Sequence, residues 1–414
     1  MNTDELQVLG TNRKEKKHYK LTMAIVALVA MAIGAGLYWA LSPKQPEKIK
    51  TGEKMGNSTI IPQLQHAVDT LLKGKLIEIG GEQGQVIVME VQTGKILSMV
   101  GLERNFEGKY QPCNNVVFQQ ELGSLMQTVS LLAVLETGKA KLSDIVDAGN
   151  GVLPVNDEYT MRDHNWHYGG NSIITLDKAL SVGSNIGISK TTAKVFENNN
   201  QQFFGMLESM SFGQPDTVER IRGLKPTSYR SPKDADWKNW IIWRSAIGYE
   251  RKIAPIQMLT FYNALANGGR MVKPTLKTGE VEIINPQIAS KANIDSIQRA
   301  LEHVVTQGTG KAARSIILNV AGKTGTSQVK EHEFGEEMIV SEYQISFCGY
   351  YPADAPKYSI IVSLNKIGMP ASGGMACSVF HDIVEWMITH DMPRVLIVDE
   401  KTNDTVKLTK KQLE

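Results

Sequence analysis

Residues 322–329 read GKTGTSQV, residues 343–352 YQISFCGYYP and residues 357–366 KYSIIVSLNK. All three are short runs rich in Val, Ile, Tyr, Phe and Thr broken by turn formers, the pattern of adjacent β-strands. Immediately after them MACSVFHDIVEWMITH, residues 375–390, carries apolar residues at helical spacing. Near the other end of the chain the order is reversed. PQLQHAVDTLLKG, residues 62–74, places Leu64, Val68, Leu71 and Leu72 at helical spacing, and QVIVMEVQTGKILSMVG, residues 85–101, is two β-rich runs around the turn Gln92-Thr93-Gly94. Between these blocks, residues 112–312 are mainly helical patterns separated by Gly, Pro and Asn turns. A helix and two strands from one end meeting three strands and a helix from the other, around a helical insert, predict an α+β fold.

The chain has 414 residues, 42% hydrophobic and 21% charged, which excludes disorder throughout and allows two to four domains. Cys113, Cys348 and Cys377 are too few and too scattered for a disulfide framework or a zinc site and are read as buried thiols. The formal charge of +2 comes from the first twenty residues, where Arg13, Lys14, Lys16, Lys17 and Lys20 face three acids. Acids and bases balance elsewhere, so nothing supports nucleic-acid binding.

That basic tail, residues 1–20, runs into LTMAIVALVAMAIGAGLYWAL, residues 21–41, which has no charge. As a helix it would reach ~31 Å, about a bilayer core. It is longer than the apolar part of a signal peptide, and SPKQPEK after it has no A-x-A site. Lys and Arg before it, with Tyr38 and Trp39 at its far end, predict a single-pass transmembrane helix in the cytoplasmic (inner) membrane, with the amino terminus in the cytoplasm and the rest outside or periplasmic. Outside the cell ATP or NAD chemistry is not expected, and no phosphate-cradling glycine motif argues otherwise; no cofactor is anticipated. Residues 42–59 are polar, with Pro43, Pro46, Gly52 and Gly56, and read as a stalk. Residues 60–392 read as one domain and 393–414 as a polar tail.

The order and wording of the segments resemble the penicillin-recognising transpeptidases. QELGSLMQTVSLLAVLETG (120–138) resembles the family's S-x-x-K segment, ALSVGSNIGISK (179–190) its S-x-N segment, and AGKTGTSQV (321–329) keeps its K-T-G-T strand unaltered. IGYERKIAPIQMLTFYNALANGGRMVKP, VVTQGTGKAA and CGYYPADAPKYSIIV are further matches, so the resemblance covers roughly residues 60–390. It implies a five-stranded antiparallel sheet flanked by helices with a helical subdomain, and leaves no room for the glycosyltransferase or pedestal domains of larger relatives. It also implies peptidoglycan stem peptides ending in D-Ala-D-Ala, or β-lactams, as ligands, and cell-wall synthesis proteins in the membrane as partners. Ser124 takes the nucleophile position. Lys323, Thr324, Gly325 and Thr326 form the strand that cradles a substrate carboxylate, and the N–H groups of Ser124 and Thr326 form the oxyanion hole.

Two positions depart from the family pattern. Its lysine lies one helical turn after the serine, where a neutral amine can take the hydroxyl proton; here that residue is Gln127, whose carboxamide has no proton-accepting site near neutral pH. The serine of S-x-N is replaced by Gly183, while Asn185 keeps its carboxamide. Ser184 is adjacent, but its side chain is expected to point elsewhere. Each acid–base group is typically worth ~10²–10⁴-fold. Binding should therefore outlast catalysis, and Gln127→Lys together with Gly183→Ser should accelerate acylation more than either change alone. Three readings stay open: a binding component of cell-wall assembly that is catalytically dead or very slow; an active D,D-transpeptidase using Lys323 as a substitute base; and a β-lactam sensor or hydrolase.

Other patterns are read as structural. His164 and His167 in RDHNWHYGG have the i, i+3 spacing of a metal pair, but nothing acidic or thiol-bearing completes a set, so no metal site is expected. Trp237, Trp240 and Trp243 would form one stripe on a helix, for core or partner contact rather than carbohydrate stacking. Lys190, five residues after Asn185, is expected to point away from the site.

Overall fold

The computed structural model describes residues 58–213, 223–334 and 338–390, together with two short strands at Ile397–Val398 and Thr405–Val406. The stretch 21–41, the tail 1–20, nearly all of the stalk and most of 393–414 lie outside the described residues. Among the described residues, no helix is long and apolar enough to cross a membrane.

Helix α1 (Pro62–Ile79) starts with proline in its first turn, where no N–H is needed, and turns Leu64, Val68, Leu72 and Leu76 onto one fully buried face. The β1 (Gln83–Glu90) and β2 (Ile96–Arg104) hairpin follows, and then β3 (Tyr110–Pro112). The other half of the sheet arrives more than two hundred residues later as β4 (Ala321–Phe334), β5 (Met338–Tyr351) and β6 (Tyr358–Ile367). The strand order is β4-β5-β6-β1-β2-β3, with every neighbouring pair antiparallel. The sheet thus has six strands where five were expected. The sixth, β3, is three residues long, mostly exposed and closed by Pro112, so its run carries no apolar alternation. It is a strand because Leu102–Arg104 pairs with it.

β1 and β6 are buried along nearly their whole length, which is why both read as continuous apolar runs. Val86, Val88, Ile360 and Val362 pack with α1 and α9 (Gly373–Thr389) on one face; Ile87, Met89 and Ile361 pack with the helical part on the other. That part contains α2 (Met126–Glu136), α3 (Leu176–Val182), α4 (Asn185–Val195), α5 (Asn200–Ser209), α6 (Ile241–Ser245), α7 (Pro255–Ala266) and α8 (Lys291–Thr306). All twelve residues of α7 are buried. Its Asn263 bonds the Val91 carbonyl (3.0 Å) and accepts from Ser359 (2.6 Å), while Tyr262 Oη donates toward the Leu125 carbonyl (2.9 Å) and Thr128 (2.8 Å). One helix therefore ties the sheet to the start of α2.

Two structural expectations need correcting. The tryptophan stripe does not form, because α6 begins only at Ile241 and turns rich in Asp, Pro and Asn precede it. Trp237 and Trp243 still pack against the main core, and Trp240 stacks on Tyr159 at 5.6 Å. Cys348 and Cys377 are buried, but Cys113 is only half-buried. Partial burial and the neighbouring Glu103 push the Cys113 thiol up to about 12.

Candidate active site

Ser124 lies in a short 3-10 turn, Gly123–Leu125, that leads directly into α2. The turn is clamped against the edge strand β4 by two glycines. A side-chain carbon on Gly325 would stand 2.7 Å from the Leu122 carbonyl, and one on Gly123 would stand 3.1 Å from Ser327 Cβ. Ser327 Oγ completes the clamp by donating to the Glu121 carbonyl (2.7 Å). Ser124 is half-buried, and among the described residues its hydroxyl has no hydrogen-bond partner. Among the described residues β4 has no sheet neighbour on its outer side, so it is the edge of the sheet that lies beside the Ser124 turn.

Gln127 follows one turn into α2 and is fully buried. Its Nε2 donates to Asn185 Oδ1 at 2.9 Å and lies 3.5 Å from the Gly183 carbonyl; its Oε1 is buried and has no partner among the described residues. Gly183 closes α3 with φ +68°, and Asn185 opens α4 with its Nδ2 on the Arg162 carbonyl (3.0 Å). A side-chain carbon on Gly183 would stand 3.5 Å from Lys323 Nζ. The chain thus brings Gln127, Gly183, Asn185 and Lys323 together from three distant segments. Ser184 turns elsewhere, as expected: its hydroxyl caps α4 at Gly187 N–H (3.0 Å) and donates to Asp163 (2.7 Å).

Lys323 is fully buried, and its Nζ donates to the Thr324 carbonyl at 3.0 Å. Burial lowers its amine to about 7, against a weak opposing effect from Cys377. The cradle anticipated for a carboxylate is therefore not a free cation flanked by hydroxyls. The Thr324 hydroxyl is paired with Thr309 (2.6 Å), and Thr326 stands exposed at the strand edge. The φ of Gly183 also revises the expected repair, since serine in that left-handed conformation costs ~1–2 kcal/mol. Adding Gly183→Ser to Gln127→Lys therefore loses part of its advantage.

Sequence reasoning missed Asp163, a carboxylate with no exposure. It accepts from Ser184 Oγ (2.7 Å), Ile186 N–H (2.9 Å) and Asn171 Nδ2 (2.8 Å), and so fixes the corner that carries Asn185. The only signal was an acid in the turn-rich run RDHNWHYGGN. Asp163→Ala is expected to lower stability by roughly 3 kcal/mol, because it strips a hydroxyl and an N–H of their buried acceptor; urea unfolding of the transpeptidase domain measures it, and a loss under ~1 kcal/mol would contradict this role. The other residues of that run pack locally: His167 lies against Trp166 (3.5 Å between ring centres), and Arg162 sits over the same indole at 5.5 Å. Burial and the nearby Lys323 hold His164 below its usual pKa, against Asp163. Lys190 donates to the Asp147 carbonyl at 3.0 Å, as a residue pointing away from the site would.

A serine at the head of a buried helix, a polar corner one turn along it and a K-T-G edge strand are joined by a family-wide match. The model of the penicillin binding protein transpeptidase domain matches residues 84–385. The chain belongs to this family. Among curated relatives it is 24% identical over 370 residues to the penicillin-binding protein PbpB of Mycolicibacterium smegmatis (81% of this chain, 54% of that protein). It is 26% identical over 308 residues to the stage V sporulation protein D of Bacillus subtilis (68% and 45%). It spans about half the length of these relatives. In fold it resembles the TP domain of Burkholderia pseudomallei penicillin-binding protein 3, with a TM-score of 0.69 and 23% identity over 82% of this chain and 97% of that one. The penicillin-binding transpeptidase fold thus accounts for the six-stranded sheet and its helical insert.

Proposed function

We propose that this protein is a membrane-anchored binding component of peptidoglycan assembly. On this reading residues 21–41 hold it in the cytoplasmic membrane beside other cell-wall synthesis proteins. The surface beside Ser124 along the outer edge of β4 takes D-Ala-D-Ala stem peptides or β-lactams, and Ser124 is acylated slowly or not at all. The observation that carries this reading is Gln127. Its buried carboxamide fills the place of the family's base and is already engaged with Asn185. A carboxamide accepts no proton near neutral pH. A fluorescent penicillin should therefore label the outer domain only at high concentration or after long incubation, although β-lactam raises its melting temperature by mass action. Rapid stoichiometric labelling at Ser124 would sink the impaired reading.

One observation favours a second reading, an active D,D-transpeptidase. Lys323, with its amine near 7, is partly neutral at physiological pH and is a proton acceptor that Gln127 is not. On this reading acylation accelerates as pH rises through 7 and is lost in Lys323→Met. A rate that is flat from pH 6 to pH 8, measured by single-turnover labelling, rules Lys323 out as the base.

A further inference from the structure

Glu250 holds a left-handed backbone, φ +62°, which a residue with a long side chain adopts only at a cost. Strain of that kind persists where the surroundings over-determine the residue, and here every polar group of Glu250 is engaged. Its carboxylate accepts from Arg244 Nε (2.7 Å) and from Arg230 (3.4 Å), its N–H donates to Glu121 Oε1 (3.2 Å), and its carbonyl accepts from the Arg230 N–H (3.0 Å). Both arginines are held in turn. Arg244 lies over the rings of Tyr159 and Tyr249, at 5.3 and 5.0 Å, and Arg230 is paired with Asp236. Ion pairs on partly exposed side chains such as these contribute little to stability by themselves. A strained backbone kept in order to make them calls for another reason, and the contacts of the corner supply one. Glu121 lies three residues before Ser124. Its neighbour Gln120 exchanges two backbone bonds with Ile253 (3.2 and 3.0 Å), which closes residues 248–253 against 120–123. Gly248 comes so near the turn that a side-chain carbon on it would stand 2.2 Å from the carbonyl of Gly123, the residue before Ser124. The turn is thus gripped from β4 through Ser327 and Gly325, and from the Glu250 corner through Glu121 and Gly248.

We propose that Glu250 is a positioning residue for Ser124: through Glu121 and Gly248 it fixes the turn, so that the serine hydroxyl and N–H keep their place beside β4 for attack on a ligand carbonyl. The role deepens the reading of this site given above and rests on Ser124 being acylated, however slowly. Glu250 acts on the reaction only through those two neighbours. Loosening the corner displaces the nucleophile without removing any group that handles a proton, and a misplacement on the order of 1 Å can cost ~10²-fold in rate.

Single-turnover labelling of the full chain with a fluorescent penicillin, followed over a range of concentrations, separates the dissociation constant from the acylation rate. Glu250→Gly is the decisive variant, because glycine takes φ +62° without strain while both arginine bonds are lost. Its acylation should slow at least ~10-fold, with the dissociation constant within ~2-fold of the parent's and the melting temperature close to it. Glu121→Ala should slow acylation in the same way, and Glu121→Gln, which keeps an acceptor for the Glu250 N–H, should restore the parental rate. A parental rate in Glu250→Gly, even with a lowered melting temperature, makes the corner a structural brace and overturns the role. Equal losses in Glu121→Ala and Glu121→Gln overturn it too, as does a defect confined to the dissociation constant. A parent that is never labelled removes the role and leaves the impaired reading standing. Rapid labelling of the parent removes the impaired reading and leaves the comparison of variants to decide the role.

Discussion

Gln127→Lys is expected to raise the rate of Ser124 acylation by β-lactams ~10²–10⁴-fold. The geometry is favourable. Gln127 Nε2 already points at Asn185 Oδ1 and toward the Gly183 carbonyl, two acceptors that a lysine amine one atom further out also reaches. The site is fully buried, and Lys323 stands near the same corner, so both desolvation and like charge depress the new amine and keep part of it neutral at pH 7. Ser124 requires no rearrangement, because its turn is held by β4 and by Tyr262 rather than by residue 127. Single-turnover labelling with a fluorescent penicillin, parent against variant, measures the effect. A gain under ~10-fold would show that more than the base has been lost.

Lys323→Met is expected to stabilise the transpeptidase domain in mild acid and to do little in alkali. The folded amine titrates near 7 and the unfolded one near 10.5. Between those values the unfolded chain binds a proton that the folded chain lacks, so parental stability rises with pH by ~1.4 kcal/mol per unit. It is greatest above the unfolded value, falls as pH drops through the window, and levels off below 7. Burying the ammonium thus costs on the order of 5 kcal/mol in acid. Methionine fills a similar volume without that cost. Urea unfolding at pH 6 and at pH 9.5 should show a gap between variant and parent that closes in alkali. An equal gap at both would mean that Lys323 does not titrate as its burial dictates.

Much of this was legible in the sequence where one segment carries its own signal. The K-T-G strand, the hairpin around Gln92-Thr93-Gly94, the helix bearing Leu64 and the helix that follows Ser124 each announce themselves through periodicity or motif wording. What failed depends on partners. β3 is a strand only because β2 lies beside it, and the tryptophans follow tertiary contacts rather than helical spacing. Asp163 carried no signal of its own, and Lys323, expected as the cation of a substrate cradle, gave no sign in the sequence that the fold would bury it completely. No reading of RDHN alone says that the acid faces Ser184, and no reading of KTGT says that its lysine faces Gln127. Local chemistry survives translation into a string of letters; burial does not.

The pairing of β1 with β6, from Gln83 opposite Asn365 to Glu90 opposite Tyr358, has a consequence for synthesis. A nascent chain makes the β1–β2 hairpin early and must then keep β1's other edge unsatisfied until roughly 275 further residues have left the ribosome. So long a loop closes slowly, and an apolar unpaired edge invites pairing with another chain in the interval. A message truncated before residue 358 would thus yield an aggregation-prone fragment rather than a smaller domain, and a chaperone that meets this chain during synthesis has reason to cover β1 until β6 has been made.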